Sequence, residues 1–405
     1  RHRSGMDDDL SKDRNKDVRM NQFQFQTVPN IIAGLGSIQE LKTILSQHDY
    51  RKALLVTDAG MIQHQLHLPI LDILDQIGLE TIIYSDIQAD PPEHIVLEAV
   101  DFAKQEKIDV IIGFGGGSSM DVAKIIALLA HPEQKQNLSE IYGVNQAKAP
   151  RLPLILIPTT AGTGSEVTPI SIVTTGATTK MGVVSPILYA DVAILDATFT
   201  QGLPAHITAA TAIDAMVHAI EAYTSNIKKN FYADMLAKNA LQLLNHNLAK
   251  VLKNGADLEA RQNMLVGSML AGQAFANAPV GAVHALAYPL GGHFHLSHGH
   301  SNALVLVEVL KFNAPKAKQY YAELMQWLDP RSTGCIDGLC DLFIDHMQNH
   351  LDQSGLTLKL KELDIAEAKL PQLAKDAMLQ TRLLQNNPRE MTEQDALQIY
   401  QAIYA

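Results

Sequence analysis

Five short apolar, β-rich runs, each separated from the next by helix-like or loop sequence, dominate the first half of this chain. The runs fall at 53–58, 81–87, 110–114, 152–158 and 192–196, and helix-like stretches fall at 38–47, 66–77, 93–105 and 120–129. Strands alternating with helices predict parallel pairing with helical crossovers, because a crossover returns the chain to the edge it left. In such sheets a ligand sits in the crevice beyond the carboxyl ends of the strands. At Leu203-Pro204 the character changes, and Ala-, Leu- and Met-rich segments with few β-branched runs continue to Ala405. The expected fold class is therefore α/β followed by all-α: a parallel-sheet domain over 21–203 and a helical domain over 204–405. Residues 1–20 are polar and read as a flexible tail, with ordered structure starting near Phe23. No low-complexity linker separates the halves, so they are expected to pack directly with the site between them.

Composition narrows the function classes. The chain has 405 residues, 47% hydrophobic and 19% charged, which is ample for two or three buried cores. A net charge of -11 argues against a nucleic-acid partner, since phosphate binding needs a basic surface. No apolar run approaches the roughly 20 residues of a membrane helix, and the charged N-terminal run lacks the apolar core of a secretory leader. The only two cysteines, Cys335 and Cys340, are too few for a thiolate zinc site and read as reduced thiols, so a cytoplasmic enzyme is expected.

Two turns follow apolar strands. In Val110-Ile-Ile-Gly-Phe-Gly-Gly-Gly-Ser-Ser-Met-Asp-Val-Ala-Lys124, the glycines Gly115, Gly116 and Gly117 permit close backbone approach to a ligand. Ser118 and Ser119 are candidate caps for the next helix, whose positive end suits a pyrophosphate, and Asp121 and Lys124 lie one turn apart on it. A plain tight turn explains the glycines equally well, and the pattern is not the usual G-x-G-x-x-G. The second turn, Pro158-Thr-Thr-Ala-Gly-Thr-Gly-Ser-Glu-Val-Thr168, gathers four threonines and a serine at one strand end. Local capping would use only some of those hydroxyls, and the two turns together favour a bound ligand.

The histidines are clustered as well. Asp214 and His218 lie four residues apart in a small-residue, apolar helical stretch, which puts a carboxylate and an imidazole on one face. Glu221 shares that side and is expected to orient His218. A simple buried hydrogen bond between Asp214 and His218 is the competing account. The stretch 284–300 then carries His284, His293, His295, His298 and His300, five of the chain's 16 histidines, around an expected turn at Pro289-Leu-Gly-Gly292. Neutral imidazoles with one carboxylate suit Fe(II) or Zn(II) better than Mg(II) or Ca(II).

These stretches together resemble the iron-containing (group III) alcohol dehydrogenase family. Residues 115–124 resemble its G-G-G-S-x-x-D-x-A-K motif and residues 158–168 its P-T-T-A-G-T-G-S-E-x-T motif. Residues 214–222 match D-A-x-x-H-A-x-E-A. Gly281-Ala-Val-His-Ala-Leu-Ala-Tyr-Pro-Leu-Gly-Gly and Ser297-His-Gly-His-Ser-Asn-Ala resemble its remaining metal signature, and Asn387-Pro-Arg-Glu-Met-Thr resembles its C-terminal motif. The resemblance spans about residues 23–404. It implies a dinucleotide-binding domain followed by a helical metal-binding domain, the dehydroquinate synthase-like fold. It also implies metal ligands at Asp214, His218, His284 and His298, with Fe2+ first and Zn2+ second. NAD, in preference to NADP, would contact Asp58, Gly115, Gly116, Gly117, Ser118, Asp121, Thr159, Thr160, Thr163 and Lys180. Asp58 would meet the adenosine ribose, unless it merely caps the following helix. A homodimer or larger homo-oligomer is implied too.

Two positions depart from the family pattern. Tyr288 stands where a second histidine often follows the third ligand by four residues, and Asp90 stands where Asn often precedes a proline. The first removes the usual proton relay, so Tyr288 is expected to position substrate or cofactor. The implied activity is hydride transfer between NAD and a primary alcohol, whether simple, polyol or sugar-derived. The rivals are a hydroxyacid–oxoacid transhydrogenase and a non-redox lyase resembling dehydroquinate synthase, while intact motifs argue against a catalytically dead binding protein. His293, His295 and His300 are either polar pocket residues, which would favour polyhydroxylated or acidic substrates, or solvated loop residues.

Overall fold

A computed structural model describes residues 22–405, so the expected tail at 1–20 lies outside the described residues. Among the described residues nine strands occur: β1 (Asn30–Ala33), β2 (Lys52–Val56), β3 (Glu80–Tyr84), β4 (Val110–Gly115), β5 (Gly143–Val144), β6 (Leu154–Pro158), β7 (Ile170–Thr174), β8 (Lys180–Val184) and β9 (Val192–Leu195). Six form one sheet in the order β1-β9-β6-β4-β2-β3, with every neighbouring pair parallel. The central strands β4, β6 and β9 are buried along their whole length. That is why they read as continuous apolar runs rather than alternating ones: helices cover both faces of a parallel sheet.

The pairing of β6, β4 and β2 fixes the place of the candidate ligand residues. Gly115 at the end of β4 is paired with Pro158 at the end of β6, and β2 runs beside β4. Asp58, the glycine-rich turn and the threonine-rich turn thereby share one carboxyl edge, where parallel sheets bind ligands. The small second sheet, β5-β8-β7, was not anticipated from the sequence. Its β7–β8 hairpin projects from the α/β half toward the helices.

From Ala205 onward the described chain is helical. The main helices are Ala205–Tyr223, Phe231–Lys253, Leu258–Asn277, Ala282–Phe294, His298–Leu328 and Ile336–Gln353, followed by Leu370–Ala377, Thr381–Leu384 and Glu393–Ala402. No helix among the described residues is long and apolar enough to cross a membrane. Two departures from expectation bear on the site. The helix expected at 120–129 starts three residues earlier, at Gly117, so Ser118 and Ser119 lie inside its first turn; Gly116 is its N-cap, without a side-chain cap. Pro289-Leu-Gly-Gly292 is not a turn but part of the helix Ala282–Phe294, and the chain reverses at His295, with φ 55°. Gly292 serves packing instead: a Cβ there would lie 2.3 Å from the Thr178 carbonyl oxygen in the β7–β8 connection.

The two halves meet backbone to backbone. A Cβ on Gly272, in the helix Leu258–Asn277, would sit 3.0 Å from the Gly164 Cα in the threonine-rich turn, and one on Gly164 would sit 2.8 Å from the Gly272 Cα. Overpacking a filled contact costs about 1–3 kcal/mol because backbone on both sides must shift. Gly272→Ala is therefore expected to lower unfolding stability by about 1–3 kcal/mol in a urea titration. An unchanged midpoint and slope would mean that the contact is not tight.

Candidate metal centre and nucleotide cleft

Three helices converge on Asp214. Asp214 and His218 lie one turn apart on Ala205–Tyr223, His284 lies in the first turn of Ala282–Phe294, and His298 opens His298–Leu328. The Nε2 atoms of His218, His284 and His298 stand 3.3, 3.6 and 3.4 Å from the same oxygen, Asp214 Oδ1. Four ligand atoms, one per residue, lie within 4.8 Å of one another. A tetrahedral ion with arms of about 2.1 Å has edges of about 3.4 Å, so the separations from the carboxylate fit a bound divalent cation. Asp214, His218 and His284 are only 3–4% exposed, whereas His298 is 32% exposed. The cluster is closed on the protein side and open on one face.

Neighbouring groups hold these rings. Glu221 Oε2 lies 2.7 Å from His284 Nδ1, and its other oxygen accepts the Val283 backbone N–H at 2.7 Å. A carboxylate accepts, so Nδ1 carries a proton, and Nε2 faces the centre, where a bound cation would take the place of its second proton. This corrects the expectation that Glu221 orients His218. The side chain reaches across to the next helix because Val283 and His284 begin it and their donors have no partner within it. Asn387, in the C-terminal motif, caps the same helix start by accepting the Ala282 N–H at 3.3 Å. His218 is held instead by stacking, with the Phe275 ring centroid at 4.3 Å.

Protonation follows from burial and charge. Burial pulls His218 down to about 3 despite the attraction of Asp214, which leaves a neutral imidazole suited to a cation. Burial would also lower His284, but its hydrogen bonds to Asp214 and Glu221 outweigh that and raise it to about 9. Burial alone would raise Asp214, yet the surrounding histidines hold it well below the usual carboxylate range. Asn302, in the Ser297–Ala303 motif but with no spacing signal of its own, donates from Nδ2 to Asp214 Oδ1 at 2.7 Å.

His218, His284 and His298 form part of one wall of a cavity of about 360 Å³ between the two halves, with Asp214 behind them. Of the residues expected to contact the cofactor, Gly117, Ser118, Asp121, Thr163 and Lys180 line it, whereas Asp58, Gly115, Gly116, Thr159 and Thr160 do not. The two turns interlock, since a Cβ on Gly117 would lie 2.8 Å from Thr163 Cγ2. The first-turn N–H groups after Gly116 have no side-chain cap and stand at the positive end of their helix. Asp121 is committed to the protein: Ser165 Oγ donates to it at 2.6 Å and the Ile172 N–H at 3.0 Å. Lys124 is fully buried and donates to Ser165, Thr168 and the Ile170 carbonyl, so it braces one turn against the other. Lys180 pairs with Asp90 at 2.8 Å. Asp58 caps the helix Ala59–Gln63 through Oδ1, which accepts the Met61 N–H at 3.1 Å; Oδ2 faces the glycine-rich turn, 3.3 Å from where a Gly115 Cβ would stand.

The remaining histidines stay outside both cluster and cavity. His293 bonds Asp376 and His300 bonds the Thr357 carbonyl, while His295 occupies the left-handed helix end. Their suggested role in making the pocket polar does not hold. Tyr288 does line the cavity, its ring centroid 6.1 Å from that of His298.

Comparison with known proteins settles the family. The sequence pattern described as iron-containing alcohol dehydrogenase matches residues 29–197, and the one described as Fe-containing alcohol dehydrogenase family, C-terminal, matches residues 208–404. The chain belongs to the iron-containing alcohol dehydrogenase family. Its activity class is that of an alcohol and aldehyde oxidoreductase. Among its relatives, long-chain-alcohol dehydrogenase 1 of Geobacillus thermodenitrificans (strain NG80-2) is 38% identical over 374 residues, 92% of this chain and 94% of that one. Sulfoacetaldehyde reductase of Bilophila wadsworthia (strain 3_1_6) is 35% identical over 94% of this chain and 98% of its own length. The crystal structure of a 1,3-propanediol oxidoreductase superposes with a TM-score of 0.90 at 30% identity, covering 95% of this chain and 100% of that one.

Proposed function

We propose that this protein is a metal-dependent, NAD-linked alcohol dehydrogenase or aldehyde reductase, with a divalent ion held by Asp214, His218, His284 and His298. The observation that carries the reading is the approach of three imidazole Nε2 atoms to one carboxylate oxygen, on the wall of a cavity that also includes the glycine-rich turn. Iron(II) is the first choice from the family and zinc(II) the second, which imidazole ligands also permit. When bound, the ion supplies Lewis acidity at the substrate oxygen and the nicotinamide carries the hydride.

The chain's own residues do the rest. Glu221 fixes the tautomer of His284, and Phe275 fixes the ring plane of His218. The helix beginning at Gly117 receives the pyrophosphate on its N–H groups. Asp58 offers Oδ2 to the adenosine ribose while Oδ1 keeps its capping bond, and a 2′-phosphate there would face a carboxylate at short range. Phe275, Val280, Ile172 and Leu383 line the cavity with apolar surface that excludes water. Burial raises the Tyr288 phenol above its usual value, against the opposing field of Arg382. That group therefore stays protonated and donates a hydrogen bond to substrate or cofactor, while the reaction proton leaves through water or a ribose hydroxyl.

Reduction of short aldehydes should disappear when the enzyme is stripped with a chelator and return on adding Fe(II) or Zn(II), read by loss of reduced-cofactor absorbance. NADH should be used at least about tenfold more efficiently than NADPH, and Asp58→Gly should narrow that gap; the small loss of helix capping that a glycine causes does not touch cofactor choice. Full activity in the stripped enzyme would remove the metal from the reading, and equal use of the two nucleotides would remove Asp58 from the ribose. Tyr288→Phe should cost less than about tenfold in turnover, because an obligatory proton-transfer residue contributes about 10²–10⁴-fold. A thousandfold loss at unchanged metal content and substrate affinity would make Tyr288 the proton carrier.

A further inference from the structure

The cavity wall holds an arginine with no anion of its own. Arg382, on the short helix Thr381–Leu384, is half-buried and lines the cavity beside Tyr288. Its Nη2 lies 3.7 Å from where a Cβ on Gly182 in β8 would stand, so the bare glycine leaves room for the guanidinium against the β7–β8 hairpin. Among the described residues no carboxylate lies within 4 Å of it and its side chain donates no hydrogen bond. The other sheltered arginines are all engaged. Arg151 bonds Asp191 and three carbonyls, Arg261 bonds Thr208 and two carbonyls, and Arg389 bonds the Phe312 carbonyl.

The acids of the cavity wall are already taken. Asp90 is paired with Lys180, and Asp121 is bonded by Ser165 and the Ile172 N–H with Lys124 at 3.7 Å. Lys228 also lines the cavity, is exposed, and has no carboxylate within 4 Å among the described residues. The wall thus carries two cations, Arg382 and Lys228, that no protein carboxylate balances. A guanidinium presents five donors in a planar fork that matches a carboxylate, sulfonate or phosphate, and in a sheltered cleft such a bond is stronger than in open water. The nucleotide has its own phosphate cradle at the helix start after Gly116, on the α/β half. Arg382 belongs to the helical half and stands beside Tyr288, one helical turn from the ligand His284.

We propose that Arg382 is a specificity residue that selects small aldehydes and alcohols bearing an anionic group, with the anion on its guanidinium fork and the reacting carbon toward the Asp214 cluster. This rests on reading the cavity as the aldehyde-reducing cleft. The apolar residues opposite would then line the short carbon segment between the two polar ends.

The test compares the metal-loaded holoenzyme with its R382L and R382K variants, using succinic semialdehyde and pentanal, a neutral aldehyde of similar length. Wild type should favour succinic semialdehyde in kcat/KM, and the ratio of the two aldehydes should fall at least tenfold in R382L, with R382K intermediate because it keeps the charge but loses the fork. A wild-type preference for pentanal, or an unchanged ratio in R382L, would overturn the proposal. So would a loss in R382L that appears equally as weaker NADH binding, which would assign Arg382 to the cofactor. Succinate binding, measured by calorimetry on the same proteins, needs no turnover and should weaken at least tenfold in R382L. If neither aldehyde is turned over while succinate binding still depends on Arg382, the redox reading fails and the anion site stands. If aldehydes are reduced and succinate binds both proteins alike, the anion site alone fails.

Discussion

A carboxylate buried to 3% exposure has to be compensated, and in this protein much of the helical half is arranged around that requirement at Asp214. Its Oδ1 faces Asn302 Nδ2 and three imidazoles drawn from three helices. An unpaired buried charge would be among the most destabilising features a core can contain. The proposed cation at the centre of these groups would satisfy the carboxylate and the imidazole nitrogens together. Glu221 extends the arrangement outward, because it serves at once as the partner of His284 and as a cap for the helix that carries it. Glu221 thereby sets the ring orientation and shares the capping of the helix start with Asn387.

The α/β half meets this centre with a different kind of constraint. Its sheet order places the ends of β2, β4 and β6 side by side, and the turns after β4 and β6 are locked by contacts that allow no added Cβ at Gly117 or Gly164. Buried Lys124, on the helix after the first turn, bonds Ser165 and Thr168 in the second turn and the Ile170 carbonyl just beyond it. The result is a braced floor that faces the Asp214 cluster across one cavity, where the proposed nucleotide would lie. Backbone contact between Gly164 and Gly272 fixes how far apart floor and cluster stand. Chemistry that depends on the alignment of a donor carbon and an acceptor carbon needs such a fixed separation.

Much of this was legible in the sequence because it is encoded locally. The four-residue spacing of Asp214 and His218, the glycine-rich turn after an apolar strand, and the strand–helix alternation are all short-range signals. What the sequence concealed depends on long-range contacts. Glu221 lies three residues from His218, yet it serves His284, because a helix start 62 residues away needed an acceptor. Pro289-Leu-Gly-Gly292 looks like a turn, but its glycine allows the Thr178 carbonyl to pack against a continuing helix. The β7–β8 hairpin is short and follows the threonine-rich turn directly, although the β-branched run Ile170-Ser-Ile-Val-Thr174 was a usable signal. Of the clustered histidines, His293, His295 and His300 bond elsewhere or end a helix, a distinction that spacing alone does not make. Arg382 gave no local signal, since an arginine acquires meaning only from the partners that surround it or fail to.

The most direct test of the account is anomalous X-ray scattering from crystals of the protein reconstituted with Fe(II) or Zn(II), recorded at the edge of the added metal. One peak is expected about 2.1 Å from Asp214 Oδ1 and from the Nε2 atoms of His218, His284 and His298, with no peak at His293 or His300. A fully occupied metal elsewhere, or none at these four atoms after reconstitution, would contradict the claim that the fold is organised around a cation at Asp214.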